Sequence, residues 1–347
     1  MKPEHWDYLR AVSRTFALSI ERLPKTVGEP LGLAYLLLRI SDYLEDNEMM
    51  PPERKVSLLL LWDQVLAGQA PVEQLVAQLA DCSADPCPDA QVALKCQPIL
   101  EDVRALPLTA QNHILLHVRA STRGMARWVA RGPEVCDEAD MDDYMHEVAG
   151  RVGYLSTELF AWYSGFVRAR LNVLMPLARE TGLALQTVNV VRGLRKDYER
   201  GWIYVPDSFC AAVNLRRADL FNPEYQIQAL QVVDMLADKG ERHLRAALDY
   251  VEALPRWLHS VRLACIWPML FAVRTLALSR QNVNVLMGEV KISRNEVKDI
   301  VRDTTLFGWS NTFLELYFHH LQSAPPRRPE KPRSASFLGR LATVVGK

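Results

Sequence analysis

Tyr35-Leu-Leu-Leu-Arg39-Ile-Ser-Asp42-Tyr-Leu-Glu45-Asp46 is the stretch on which the reading of this chain turns. Its carboxylates stand at relative positions 0, +3 and +4, which a helix places on one face, with Arg39 a turn before them and Tyr35 a turn before that. The preceding run from Leu31 to Leu38 is apolar, so three acids arrive at the end of a helix whose other sides belong in a core. A solvated helix end carrying an ion pair is the plain alternative. The clustering argues instead for a metal-ready patch: magnesium takes hard oxygen ligands in octahedral geometry, and one or two carboxylates with water and substrate phosphate oxygens complete its shell.

Outward from that stretch the pattern is helix after helix. Apolar residues recur at three- and four-residue spacing through Leu9–Ile20, Leu33–Leu44, Lys55–Leu66, Ala110–Val129, Met141–Gly165, Leu171–Glu199, Tyr225–Leu254 and Trp257–Leu278. No alternation is sustained over strand length. The expectation is an all-α domain over residues 1–322, with an irregular stretch around Asp81–Asp89 where Pro86 and Pro88 break the period. From Ser323 the composition turns basic and proline-punctuated, through Pro325, Arg327, Arg328, Lys331 and Arg333, and ends in the short apolar run Phe337-Leu-Gly-Arg-Leu-Ala-Thr-Val-Val. A disordered tail over 323–347 is expected, with weak attachment to an anionic membrane surface as its functional alternative.

Composition excludes several classes. Apolar residues make up 49% of the 347, enough for a large core, and 41 basic residues balance 41 acidic ones, so no global charge steers the chain to nucleic acid. Any anion site has to be local. The six cysteines include no Cys-x-x-Cys pair and no cleavable signal precedes Trp6, which fits reduced thiols in a cytoplasmic protein. No uncharged apolar run reaches the roughly 18–20 residues that span a bilayer, and the runs at 58–66 and 263–273 read as core helices. His113 and His117 have zinc-compatible spacing, but no Glu follows His113, so packing is the expectation there, as it is for His146, Cys210 and Cys265. The pair His319-His320 reads as a surface helix end.

A second dense constellation runs from Gln186 to Pro206. Asn189, Arg192, Gly193, Lys196 and Asp197 fall at 0, +3, +4, +7 and +8, a single polar stripe on a helix whose other sides carry Val188, Val190, Val191 and Leu194. A stripe that long on an otherwise apolar helix points to burial around a polar cavity.

With both segments in hand, the chain resembles the squalene and phytoene synthase family, the head-to-head isoprenyl diphosphate synthases, on its squalene-forming side. Three further blocks carry the resemblance: Ser13-Arg14-Thr15-Phe16, Tyr144-Met-His-Glu-Val148-Ala149-Gly150-Arg-Val152-Gly153, and Val290-Lys291-Ile292-Ser293-Arg294. The matches run in the family's order from about residue 6 to 300. The resemblance implies an all-α isoprenoid synthase fold in which two acidic helices face each other across a central cavity. It implies Asp42, Glu45, Asp46 and Asp197 as magnesium ligands and Arg14, Tyr35 and Arg39 as diphosphate contacts or their supports; Arg192, Lys196 and Arg200 join them on their charge alone, as cations suited to replace one magnesium ion beside the diphosphate. Phe16 would face a carbocation, since an aromatic face attracts positive charge. Tyr144 would remove the proton as a cyclopropane closes, and Asn189, Lys291 and Arg294 would serve NADPH, for which no Gly-x-Gly-x-x-Gly is present. The implied reaction joins two farnesyl diphosphates through presqualene diphosphate to squalene. Gly150 and Gly153 are expected to permit close helix approach or a kink.

The pattern breaks in the second motif. Where the family reads Asn-x-x-Arg-Asp-x-x-Glu-Asp, this chain has Asn189-x-x-Arg192-Gly193-x-x-Lys196-Asp197, and Trp202 stands where an arginine is usual. An ammonium in place of a carboxylate opposes a metal and favours direct contact with phosphate. Two alternatives therefore stay open: a family member with another product, such as presqualene diphosphate or a phytoene-type hydrocarbon, and a prenyl diphosphate-binding protein without turnover.

Overall fold

The structure, a computed structural model, describes residues 1–325, apart from the side chains of Arg14 and Ser83. Every regular element among them is a helix or a helical turn, and none is a strand. Two helices organise the site. The acidic one spans Lys25–Asp46 and the striped one Leu171–Glu199.

The acidic helix is enclosed on most sides. Leu33, Leu36, Leu37, Ile40 and Leu44 are fully buried, against neighbours Leu108–Arg131, Pro52–Leu66, Pro88–Leu94, Cys96–Arg104 and Arg151–Tyr163. Burying each such side chain stabilises by about 1.5–3 kcal/mol, which holds the polar positions of the same helix to one remaining face. The striped helix packs on Gln226–Ala253, Arg151–Tyr163 and His259–Ser279. Arg151–Tyr163 thus touches both organising helices and walls the space between them. Its approach to the striped helix is backbone to backbone at Gly153, where a Cβ would lie 2.1 Å from the Ala178 carbonyl oxygen. The close contact expected of this glycine is present.

Two local features depart from the sequence reading. The run Leu9–Ile20 is not one helix: Pro3–Val12 ends at Ser13, whose backbone is extended, and Arg14–Glu21 begins there with the Ser13 hydroxyl accepting the Phe16 N–H at 3.2 Å. A serine cap stabilises a helix start, and apolar spacing survives a one-residue break, so periodicity alone does not reveal it. The second departure lies inside Met141–Gly165, where His146–Gly150 forms a wider π-helical turn between Glu138–Met145 and Arg151–Tyr163. Such turns shift the register of side chains on either side, here between Tyr144 and Gly153.

His259–Ser279 is long and apolar enough to cross a membrane by length and composition, but 83% of its apolar window is buried. It also carries Arg262 and Arg274 inside the protein. Arg274 bonds Glu296 at 2.7 Å and the carbonyls of Leu321, Ala324 and Pro325, so it is a core helix that also fixes the end of Asn311–Ser323. The basic segment from residue 326 onward lies outside the described residues.

Candidate active site

The acidic and striped helices face each other across a polar cavity of about 460 Å³. Asp42, Glu45 and Asp46 line one side, and Asn189, Arg192, Gly193, Lys196 and Asp197 the other. The two constellations, over a hundred residues apart in sequence, therefore meet as the resemblance implies. Next to this cavity is an apolar one of about 240 Å³, walled by Phe16, Leu31, Tyr35, Leu38, Val152, Phe160 and Leu185 among others. Arg39, Asp42, Val148, Gln186 and Asn189 line both, which makes the two spaces one chamber with a charged end and a greasy end. Ligand sites combine an apolar body with a few placed polar groups in this way.

Ion pairs fix the charged end. Arg39 gives Nη1 to Asp42 at 2.8 Å and Nη2 to Asp89 at 2.7 Å. Asp89 opens the Pro88–Leu94 helix, in the stretch expected to be irregular, and the sequence offered no sign of its role. Arg200, the residue capping the striped helix, bonds Asp46 at 2.9 Å and also Asp197, joining the two faces. Arg192 bonds Glu289 at 2.9 Å and Lys291 bonds the same carboxylate at 2.5 Å. Glu289, another cavity residue that no motif marked, thus ties the Val290–Arg294 block to the rim. Arg294 is exposed at the start of Arg294–Phe307 and is not among the cavity's lining residues. The side chain of Arg14, an expected diphosphate contact, lies outside the described residues.

The carboxylates are under electrostatic load. Burial pushes the Asp42 carboxyl up to about 6, with Asp46 and Asp89 adding to the shift and Arg39 opposing it. Its side chain keeps 29% of its surface, but the surface it keeps faces the chamber. Glu45 is raised well above the ordinary carboxylate range, by burial and then by Asp46 and Asp42. Burial also raises Asp197, against the pull of Arg200.

Aromatic residues form the floor. The striped helix ends in a Schellman turn: Gly201 at φ 81° lets its N–H reach the Tyr198 carbonyl and the Trp202 N–H the Asp197 carbonyl. The chain then doubles back, and Trp202, Tyr204 and Tyr144 stack in sequence, with centroid separations of 5.6 and 4.5 Å. Trp202, which replaces the usual arginine, so supports the ring of Tyr204. Tyr144 lines the polar end, and its phenol is raised well above its ordinary value by burial and then by Glu45. Phe16 and Tyr35 pair at 5.5 Å in the apolar end. Tyr35 therefore sits with the expected cation-facing ring while its phenol lies within the electrostatic reach of Arg39 and Asp42, at the junction of the two ends.

A model of the squalene/phytoene synthase family matches residues 9–296. The chain belongs to that family. It is a family of prenyltransferases. Among its relatives are a squalene synthase of Botryococcus braunii, 28% identical over 84% of this chain and 60% of the relative, and that of Mus musculus, 25% identical over 97% of this chain and 78% of the relative. The chain thus spans about three fifths of the length of the algal relative. Among solved structures, TcSQS with a bound ligand superposes with a TM-score of 0.78 at 23% identity, covering 94% of this chain and 93% of that one. A dehydrosqualene synthase in complex with a ligand gives 0.63 at 18% identity, over 88% and 96%. At these identities the likeness shows the fold, the all-α isoprenoid synthase fold that the sequence implied.

The residues present suit magnesium on one face only. On the acidic helix, buried carboxylates that repel one another gain from a divalent cation placed among them. Opposite, Gly193 offers no ligand, Lys196 is cationic and Asp197 is already held by Arg200, a set that does not suit a metal. Among the described residues no three or more His, Cys, Asp or Glu side chains are drawn together as a ready-made metal cage. His113 and His117 both hydrogen-bond the Glu158 carboxylate, at 2.6 and 2.9 Å. Cys210 is buried, whereas Cys265 is only half-buried and lines the apolar end of the chamber.

Proposed function

We propose that this protein is a squalene synthase-like farnesyltransferase, which condenses two farnesyl diphosphates head to head through presqualene diphosphate to squalene. The observation that carries the reading is the continuity of the charged and greasy ends of the chamber through Arg39, Asp42, Val148, Gln186 and Asn189. An isoprenyl diphosphate has the same two-part chemistry. Loss of diphosphate from an allylic carbon separates charge, so the leaving oxygens need cations while the carbon needs a dry pocket. Lys196, Arg192 and Arg200 supply N–H donors at the charged end. The apolar lining excludes water, and Phe16 and Tyr35 offer ring faces to positive charge.

Magnesium, when held by Asp42, Glu45 and Asp46, supplies further positive charge to the leaving diphosphate. NADPH, when bound, supplies the hydride of the last step; Asn189 within the chamber and Lys291 and Arg294 on the exposed side of the rim are its candidate contacts. Tyr144, held in place by its stack on Tyr204 and kept as a neutral phenol, relays the proton lost as the cyclopropane closes, its oxygen receiving that proton while its own O–H proton passes to an oxygen of the released diphosphate. The protein acts in the cytoplasm, with its basic tail as a peripheral membrane contact.

A second reading, favoured by the Arg200 bridge, is a family member that stops at presqualene diphosphate or binds prenyl diphosphates without turnover. Incubation with farnesyl diphosphate and magnesium, with and without NADPH, separates the two by mass spectrometry. Squalene with NADPH and presqualene diphosphate without it support the first reading. Binding without diphosphate release contradicts it.

A further inference from the structure

Almost every carboxylate that lines the polar end is already neutralised from within the chain. Asp42 is bonded to Arg39, Glu199 to Arg195 at 2.7 Å, Glu289 to Arg192, and Asp46 and Asp197 share Arg200. Glu45 alone among the lining carboxylates has no ion pair, and Lys196 alone among the lining cations has none.

Arg200 differs from the other cations in position. Its side chain is only 14% exposed, and it reaches from the end of the striped helix to the end of the acidic helix, giving one nitrogen to each carboxylate. Its Nε is buried without a hydrogen-bond partner. A guanidinium there does the electrostatic work of a divalent ion held between the two helices: it places permanent positive charge where two carboxylates converge. Asp46 and Asp197 against Arg200 leave one negative charge, and Lys196, a turn from Arg200, cancels it. Gly193 adds no ligand. Nothing remains on that face to attract a divalent cation strongly, while the uncommitted donors of Lys196 suit a phosphate oxygen.

We propose that Arg200 is a built-in cation standing in the place of a metal ion between the two helices. One side of the diphosphate is then gripped directly by Arg200, Arg192 and Lys196, and metal is bound only at Asp42, Glu45 and Asp46. Asp46 serves both, because Arg200 engages its Oδ1 and leaves Oδ2 without an ion pair. This rests on the diphosphate reading given above.

The test uses the full chain, unreactive farnesyl thiodiphosphate as probe, and Mn²⁺ in place of Mg²⁺, with free Mn²⁺ counted by electron paramagnetic resonance. With saturating probe, the native chain should bind a single Mn²⁺, and it should still bind the probe measurably in EDTA. The exposed Lys196→Gln should weaken metal-free binding by about tenfold or more, the loss of one charge-assisted contact, with Mn²⁺ stoichiometry and melting temperature unchanged. The double variant Gly193→Asp, Lys196→Glu should take up at least one further Mn²⁺ and lose metal-free binding; the Cβ at Gly193 would lie 3.3 Å from an Asp197 carboxylate oxygen, a tight contact that a shift of a few tenths of an ångström in that side chain relieves. Two or more Mn²⁺ on the native chain, or no probe binding in EDTA, overturns the proposal alone. No probe binding under any condition overturns the diphosphate reading with it.

Discussion

Replacing Gly153 by alanine forces apart two helices that form the wall of the greasy end. The new Cβ would lie 2.1 Å from the Ala178 carbonyl oxygen and 2.8 Å from its carbon, where ordinary contact begins at 3.4 Å. The obstacle is backbone, so no rotamer change relieves it and the helices must separate. There is little slack, because a Cβ at Gly182 would meet the Ala149 carbonyl oxygen at 2.4 Å across the same packed elements. Overpacking a close-packed core costs about 1–3 kcal/mol, and backbone against backbone belongs at the upper end. At about 1.4 °C per kcal/mol for a chain of this size, the melting temperature should fall by about 3–4 °C in differential scanning calorimetry. Both glycines line the apolar cavity, so binding of farnesyl thiodiphosphate should weaken in parallel. Gly165→Ala is the control, since a Cβ there meets nothing within 4 Å. A Gly153→Ala chain that melts within a degree of the native protein would refute the backbone contact and the wall built on it.

Three further expectations follow from other parts of the molecule. Tyr144→Phe keeps the stack on Tyr204 but removes the phenol, so farnesyl thiodiphosphate should bind with affinity near native while steady-state product formation falls by about 10²-fold or more; unchanged turnover would remove Tyr144 from the chemistry. Asp42 is an acid raised from 3.8 to about 6, so its contribution to stability is present below its unfolded value and lost as the pH rises through about 6. The metal-free chain should therefore lose stability between about pH 4 and 6, with Asp42 contributing up to about 3 kcal/mol, while Mn²⁺ affinity climbs over the same window; Asp42→Asn should flatten both slopes, leaving the part carried by Glu45 and Asp197, and slopes unchanged in that variant would assign them elsewhere. Arg274→Leu breaks a buried pair with Glu296 and frees three carbonyls, which should cost about 3–5 kcal/mol in urea denaturation, whereas a cost under about 1 kcal/mol would show the pair to be incidental.

Much of this site was legible because both constellations are local. Asp42, Glu45 and Asp46 lie within two turns of one helix, and Asn189 to Asp197 form one stripe, so spacing alone places each set on a face. That the faces meet followed from the resemblance, not from the spacing. Partners brought in by tertiary packing left no trace: Asp89 holds Arg39 from a stretch whose prolines read as irregular, and Glu289 holds Arg192 from outside any motif. The bridge from Arg200 to Asp46 and Asp197 also left no trace, because an arginine at a helix end reaches whichever carboxylates the opposite helix presents. The break at Ser13 and the π-turn at His146–Gly150 escaped for a common reason. A one-residue change of register leaves the apolar period almost intact while re-aiming Phe16 and Tyr144.

The claim at the centre is that one chamber holds a diphosphate head between the acidic and striped helices and an isoprenoid chain beside them. A crystal structure of the full chain with farnesyl thiodiphosphate and magnesium tests it most directly. The account predicts phosphorus atoms between the Asp42–Asp46 face and Lys196, with the hydrocarbon running past Val148 toward Phe16 and Phe160. A ligand whose diphosphate sits away from both helices, or whose chain points out of the chamber, would contradict it.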